Sequence, residues 1–246
     1  MKRLYEKSEI WFAVAWIIAY CILLSLGDNI SAELGVINVA TLPIALVLSF
    51  VLYLFMKRNN LFETYGLCKS KVPASKMLFY IPVLVMLTAN LWYGIGIYVS
   101  PVEAIYYVLT MFCVGFLEEV IFRGLLFNAM RKDGVKSAIL VSSLTFGMGH
   151  IINLFNGSGA ELLSNLLQVV YATAAGFMFV MIYYKTESLI VCIVAHGVFN
   201  ALSVFVNEAK VTDTMQILSC VFLSVVCGGY GAYLAGNKND LCAREN

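Results

Sequence analysis

Five side chains that can do acid–base or hydrogen-bond chemistry interrupt otherwise apolar stretches of this sequence. Glu118 and Glu119 are adjacent, His150 and His196 are the two histidines of the chain, and Asn200 lies four residues after His196. A carboxylate near a histidine can hold a water molecule and act as its general base. Histidine and asparagine can donate hydrogen bonds to the oxyanion of a tetrahedral intermediate. These residue types predict a site that hydrolyses amide bonds.

Helical spacing gives these groups directions. Glu119 and Arg123 are four residues apart, which favours an ion pair on one side of a helix. Glu118 is turned away from Glu119 by about 100°. We therefore expect Arg123 to neutralise and orient Glu119, while Glu118 remains free for chemistry. Phe146 and His150 share a helix face in the same way, so Phe146 is a supporting residue of the predicted site.

The whole chain has the composition of a membrane protein. Its 246 residues are 61% hydrophobic and only 13% charged, and the mean hydropathy is +0.85. Soluble domains carry about a quarter charged residues. Apolar runs of about 17 to 25 residues are long enough to cross a hydrocarbon core of ~30 Å. We predict an all-α polytopic membrane helix bundle, a single integral membrane domain over 1–246, with eight spans at about 10–26, 34–56, 76–99, 103–130, 137–155, 162–183, 188–206 and 214–236.

The basic residues predict the orientation of the bundle. Fourteen of the sixteen lie in one alternating set of loops and ends, Lys210 lies alone in the other set, and Arg123 lies inside a span. Loops rich in Lys and Arg stay in the cytoplasm. We predict a multi-pass cell-membrane protein with both termini cytoplasmic. The net charge of +1 argues against a nucleic-acid partner, which usually requires a basic face.

Depth along the predicted helices shows that the polar groups can meet. With a rise of ~1.5 Å per residue, Glu118, His150 and Asn200 each lie about 20 Å from the cytoplasmic ends of their spans, and His196 about 14 Å. Polar groups of three spans therefore share one layer, and its depth favours substrate access from the cytoplasm. Glycines beside His150 and His196 are expected to leave room for a substrate backbone.

Three stretches of sequence resemble the motifs of one known family. The stretch EEVIFR at 118–123 is similar to the E-E-x-x-x-R motif of the CAAX protease and bacteriocin-processing (CPBP, or ABI) family. The stretch FGMGH at 146–150 resembles its F-x-x-x-H motif, and HGVFN at 196–200 resembles its H-x-x-x-N motif. The motifs follow the family's order on separate spans, and the resemblance covers about 112–202.

The resemblance implies a glutamate-dependent intramembrane endopeptidase related to the type II CAAX prenyl endopeptidase. In that family the first glutamate and the second-motif histidine activate water, which here would be Glu118 and His150. The third-motif residues form the oxyanion hole, here His196 and Asn200. The implied partners are the lipid bilayer and a peptide or protein substrate, such as a CAAX-like, bacteriocin or signalling peptide precursor. No cofactor is implied, the short loops resemble a bacterial member, and the oligomeric state stays open.

Other interpretations of the same residues remain. Glu118, Glu119 and Arg123 could form a structural ion network between helices. One glutamate and two histidines could instead bind catalytic zinc, although the sequence has no H-E-x-x-H motif. Cys192 precedes His196 by one helical turn but lies among apolar residues, which favours a packing role.

Two non-enzymatic functions also fit an intramembrane cluster of ionisable groups. A proton-coupled transporter uses such residues near mid-membrane, but many transporters show internal repeats and none is visible in this sequence. A bacteriocin immunity or scaffold protein could keep the motifs and act by binding alone.

Overall fold

The computed structural model describes residues 1–156 and 159–237, and most of these residues are helical. The described part of the chain has no β-strand; Ile95 and Val206 form one isolated antiparallel bridge. The α-helices are α1 (Lys2–Lys7), α2 (Glu9–Leu34), α3 (Thr41–Arg58), α4 (Ile81–Leu87), α5 (Pro101–Glu118), α6 (Asn128–Arg131), α7 (Val135–Gly149), α8 (Leu162–Thr186), α9 (Ile190–Leu202) and α10 (Asp213–Gly236). A π-helix covers Glu119–Phe127, and 3₁₀ turns cover Ala74–Tyr80, Ala89–Tyr93, His150–Leu154, Ser203–Phe205 and Glu208–Lys210.

Seven helical units of the described chain are long and apolar enough to cross a membrane. α5, the π-helix and α6 form one of these units, because the chain continues from Pro101 to Arg131 without a break. The predicted polytopic membrane helix bundle is therefore confirmed. The seven units are Glu9–Leu34, Thr41–Arg58, Ala74–Tyr93, Pro101–Arg131, Val135–Leu154, Leu162–Thr186 and Asp213–Gly236.

The third predicted span, 76–99, is not one regular helix. Its only α-helix, α4, has seven residues and carries Pro82 in its first turn, where the missing N–H costs no hydrogen bond. Helical turns continue to Tyr93, and Gly94 then takes a positive φ of 83°. A glycine adopts this backbone conformation without steric cost. Pro82 therefore lies at the start of α4, and Gly94 follows the last helical turn of this segment.

The seventh predicted span, 188–206, is shorter than expected. α9 has 13 residues, or about 20 Å of helix at 1.5 Å per residue, and one 3₁₀ turn follows it. This length is less than a hydrocarbon core of ~30 Å. α9 packs against α5, α4 and α8. The prediction of eight full spans therefore becomes seven full spans and one short helix inside the bundle.

The bundle has two ends that the connections define. Glu9, near the N-terminus, pairs with Lys132 at 2.7 Å. Asn237, the last described residue, accepts a hydrogen bond from Lys185 through its carbonyl. Both contacts lie at one end of the bundle. We call this end the terminal face. At the other end, which we call the opposite face, the N–H of Asn207 donates to the carbonyl of Gly94.

The segregation of basic residues follows these two faces. Twelve of the fourteen basic residues assigned to one side lie in or beside connections of the terminal face, while Lys210 lies on the opposite face. The remaining two, Lys238 and Arg244, are outside the described residues. Which face is cytoplasmic stays a prediction.

Glycines bring α5 and α9 into close contact. A Cβ atom added to Gly115 would lie 2.7 Å from the backbone nitrogen of Gly197, and one added to Gly197 would lie 2.7 Å from the ring of Phe112. On α7, a Cβ on Gly147 would collide with Thr173 of α8. At Gly147 and Gly197 the space is filled by helix packing, whereas a Cβ added to Gly149, directly before His150, would meet nothing within 4 Å. The close contact places Glu118 and His196 side by side.

Candidate active site

The central helix of the site changes from α-helix to π-helix at the glutamate pair. α5 ends at Glu118 and the π-helix begins at Glu119, and every residue of the π-helix is buried. Short π-helical segments are rare and often mark functional sites. Ser142 of α7 donates a hydrogen bond to the carbonyl of Phe122 at 3.0 Å, and Asn128 donates to that of Gly124 at 2.7 Å. These side chains stabilise the irregular backbone.

Glu119 holds two partners through one carboxylate oxygen. Its Oε1 accepts from Arg123 Nη1 at 3.0 Å and lies 2.8 Å from His196 Nδ1. Glu119 and Arg123 are completely buried. A charge buried in this way is tolerated only when it is paired. The predicted ion pair is present, and it extends to the imidazole of a second helix.

Glu118 also contacts His196, from the other side of the ring. His196 Nε2 lies 3.3 Å from Glu118 Oε2, and this oxygen has no hydrogen-bond partner among the described residues. Glu118 Oε1 accepts from the hydroxyl of Tyr20 at 2.6 Å. Glu118 thus keeps one oxygen without a hydrogen bond while the other is fixed.

Sequence reasoning missed Tyr20. It lies on α2, far along the chain from the three motifs, and the only signal is a phenol within an apolar run. The side of α2 that carries this hydroxyl is set by packing against the π-helix. Such a contact has no local spacing rule, because it joins residues 98 positions apart.

Phe146 lies among the polar groups of the site. The guanidinium carbon of Arg123 is 4.0 Å from the centre of the Phe146 ring, within the range of a cation–π contact. The ring also meets His150 at 5.3 Å and His196 at 5.6 Å between centroids, in edge-to-face geometry. Phe146 is buried, so it excludes water from the guanidinium and separates the two imidazoles.

His150 and Asn200 meet the other groups across a small cavity. The cavity has a volume of about 30 Å³, and His150, His196 and Asn200 are among its lining residues, together with Phe146. A space of this size can hold about one or two water molecules. The structure therefore places both histidines and the asparagine around a space suited to water. The two glutamates contact His196 but are not among the lining residues of this space.

His150 occupies the end of a helix rather than its middle. α7 stops at Gly149 and the chain turns into 3₁₀ geometry at His150. The carbonyl of His150 accepts from Asn165 Nδ2 of α8 at 2.8 Å. This bond satisfies one of the carbonyls that a helix end leaves free. The sequence did not indicate Asn165 as a site residue.

The described residues contain no group of three His, Cys, Asp or Glu side chains that could hold a metal ion. Arg123 lies against Glu119 at the position where a cation would otherwise neutralise that carboxylate. The zinc alternative stays a prediction of the sequence, and a chelator experiment tests it below.

Comparison with known proteins gives two matches. The sequence model of the family described as type II CAAX prenyl endopeptidase Rce1-like matches residues 100–202. A curated protein of Bacillus subtilis (strain 168), "Putative membrane peptidase YdiL", is 30% identical over 114 residues, which are 46% of this chain and 41% of that protein. Both matches support the resemblance to the CPBP family that the three motifs indicate. The match to the Bacillus protein spans less than half of either chain, and no solved structure matches.

The segment matched by the family model contains all seven residues that the sequence singled out. It runs from the start of α5 to the end of α9. Tyr20 and the helix that carries it lie outside the matched segment, although they complete the contacts of Glu118.

Proposed function

We propose that this chain is an intramembrane endopeptidase in which Glu118 and His150 activate water and His196 and Asn200 stabilise the oxyanion. The observation that supports the proposal is the meeting of Glu118, Glu119 and His196 in one buried cluster beside a cavity of about 30 Å³. A structural ion network would need Glu119 and Arg123, but not a second carboxylate and a water-sized space beside two histidines.

In the proposed reaction, Glu118 takes a proton from water as the oxygen attacks the scissile carbonyl carbon. The resulting oxyanion accepts hydrogen bonds from His196 and Asn200, and donors of this kind are worth about 10²–10³ in rate. The C–N bond then breaks, and Glu118 returns the proton to the leaving amine. The products are a free carboxylate and a free amine.

Glu119 and Arg123 have a different role in the proposal. Glu119 fixes His196 through Nδ1, so that Nε2 remains on the side of Glu118 and the substrate. Arg123 balances the charge of Glu119 from within the same helix. Orientation of an imidazole by a buried carboxylate is a recurring device in hydrolytic sites.

The test is cleavage by the purified full chain in lipid nanodiscs. The probes are internally quenched peptides with an apolar stretch, one with and one without a C-terminal farnesylated cysteine. Glu118→Gln should lower kcat by about 10²–10⁴, the usual contribution of a general base. Glu33→Gln, an exposed glutamate of α2, is the matched control and should leave kcat unchanged.

A chelator separates the proposal from the zinc alternative. Cleavage should continue at the same rate in excess EDTA. Loss of activity with EDTA and its recovery with zinc would favour a metallopeptidase. Cleavage that survives Glu118→Gln would remove the assignment of the base, and a wild-type chain that cleaves neither peptide while taking up solute along a proton gradient would favour the transporter.

A further inference from the structure

A second cavity adjoins the candidate active site. Its volume is about 300 Å³, ten times that of the small cavity, and it lies at the lower end of the ~300–1,000 Å³ range of ligand pockets. The two cavities share four lining residues, Gln168, Tyr171, Phe199 and Leu223. The two cavities are therefore neighbours that share part of one wall.

The larger cavity lies toward the opposite face. It is lined by residues of the first turns of α8 and α10, such as Ser164 and Gln216, and by Val206 and Val211 from the connection between α9 and α10. Along α10, residues of one helix face line first the larger cavity and then the small one, from Gln216 through Leu223 to Cys227. This face forms one wall of a path from the opposite face inward.

The lining of the larger cavity carries no charge and combines apolar side chains with polar ones. None of the described residues that line it is Asp, Glu, Lys or Arg, while six carry amide or hydroxyl groups besides the tyrosines: Asn90, Ser164, Asn165, Gln168, Gln216 and Ser219. Amide side chains offer both donors and acceptors, as each unpaired peptide unit does. This chemistry fits an extended polypeptide better than a charged head group or an ion. A helix is a poor occupant, because its own backbone groups are already paired.

Asn165 supplies a second observation at this cavity. Its side chain is 1% exposed, and Nδ2 is fixed by the carbonyl of His150, which also settles the orientation of the amide. Its Oδ1 has no hydrogen-bond partner among the residues that the structure describes. A buried acceptor without a partner is costly. An N–H group of a bound peptide would satisfy this acceptor. The same amide group holds the backbone carbonyl of His150.

We propose that the larger cavity binds an extended, uncharged stretch of the substrate polypeptide and guides it from the opposite face to the small cavity. This inference rests on the proposed peptidase function and adds a substrate class and a direction of approach. It differs from the cytoplasmic access that the depth of the polar layer favours, because the larger cavity lies near the connections of the opposite face. Asn165 accepts a peptide N–H in this binding mode.

Site-specific cross-linking tests the cavity independently of cleavage. The photoreactive residue p-benzoylphenylalanine replaces either Gln216, which lines the cavity, or Leu218, which lies two residues later and is 63% exposed. Both are placed in the full chain with Glu118→Gln, so that the biotinylated quenched peptide is not consumed. We expect at least fivefold more adduct at position 216 than at 218.

Kinetics in the active chain give a second readout. Gln216→Trp should fill the cavity and raise KM about tenfold while changing kcat little, and Leu218→Trp should change neither. A peptide that the wild-type chain cleaves, but that cross-links equally at both positions and keeps its KM in Gln216→Trp, would overturn the cavity proposal. Strong cross-linking at position 216 without cleavage by the wild-type chain would count against the peptidase function but not against the cavity. If the peptide is neither cleaved nor cross-linked, both proposals are wrong.

Discussion

At the scale of single residues, the site depends on how each carboxylate is held. Glu119 has its partners on one oxygen, Arg123 and His196, whereas Glu118 has a phenol on one oxygen and an imidazole near the other. A base must be oriented but must keep an oxygen available for the proton it takes. Glu118 meets this requirement, and the hydroxyl of Tyr20 provides the orientation.

Removal of that hydroxyl should therefore affect turnover. Tyr20→Phe keeps the ring and deletes the hydrogen bond of 2.6 Å to Glu118, and a hydrogen bond to a charged group contributes about 1.5–3 kcal/mol. We expect kcat/KM for the quenched peptides to fall about tenfold or more, together with a modest decrease in thermal stability in nanodiscs, because the same bond also stabilises the fold. Tyr53→Phe, on the exposed side of α3, is the control. Equal activity of both variants would show that Tyr20 has no part in positioning Glu118.

At the scale of helices, the sequence predicted the polar groups better than the elements that carry them. The i, i+4 relation of Glu119 and Arg123 depends only on local helix geometry, and that pair is present. The π-helix after Glu118 depends on donors from α7 and from Asn128, and the end of α7 at His150 depends on Asn165 of α8. Contacts between distant segments leave no periodic pattern in a single sequence.

The crossing of α5 and α9 determines whether the glutamates reach His196. A side chain at Gly115 would force the two backbones apart, because a Cβ would lie 2.7 Å from the nitrogen and 2.9 Å from the Cα of Gly197. Backbone atoms cannot rotate away as a flexible side chain can. Small residues at such crossings are what allows membrane helices to approach closely.

Gly115→Ala should therefore lower both stability and activity. We expect the free energy of unfolding in a detergent titration to fall by about 1–3 kcal/mol, as for other overpacked cores, and kcat to fall at least tenfold as His196 moves from Glu118. Gly228→Ala on α10 is the matched control, since its Cβ would meet nothing within 4 Å and alanine favours helix. If Gly115→Ala retains both properties, the close crossing does not hold the site together.

At the scale of the whole molecule, the distribution of charge predicts the orientation of the bundle, and the orientation decides which side of the membrane the larger cavity serves. Twelve basic residues lie at the terminal face and Lys210 lies at the opposite one. The positive-inside rule predicts that the terminal face is cytoplasmic. The larger cavity would then lie toward the outer side of the membrane, and the proposed peptidase would act on peptides that arrive from outside or from the outer leaflet.

Thiol labelling in intact cells tests this orientation. Glu33→Cys and Asp133→Cys replace exposed acidic residues near the opposite face and the terminal face, respectively, and the wild-type chain gives the background from its own cysteines. A membrane-impermeant maleimide should label position 33 without lysis and position 133 only after the membrane is permeabilised. The reverse pattern would place the opposite face in the cytoplasm. The larger cavity would then receive cytoplasmic peptides, because its position within the bundle does not depend on which way the bundle is inserted.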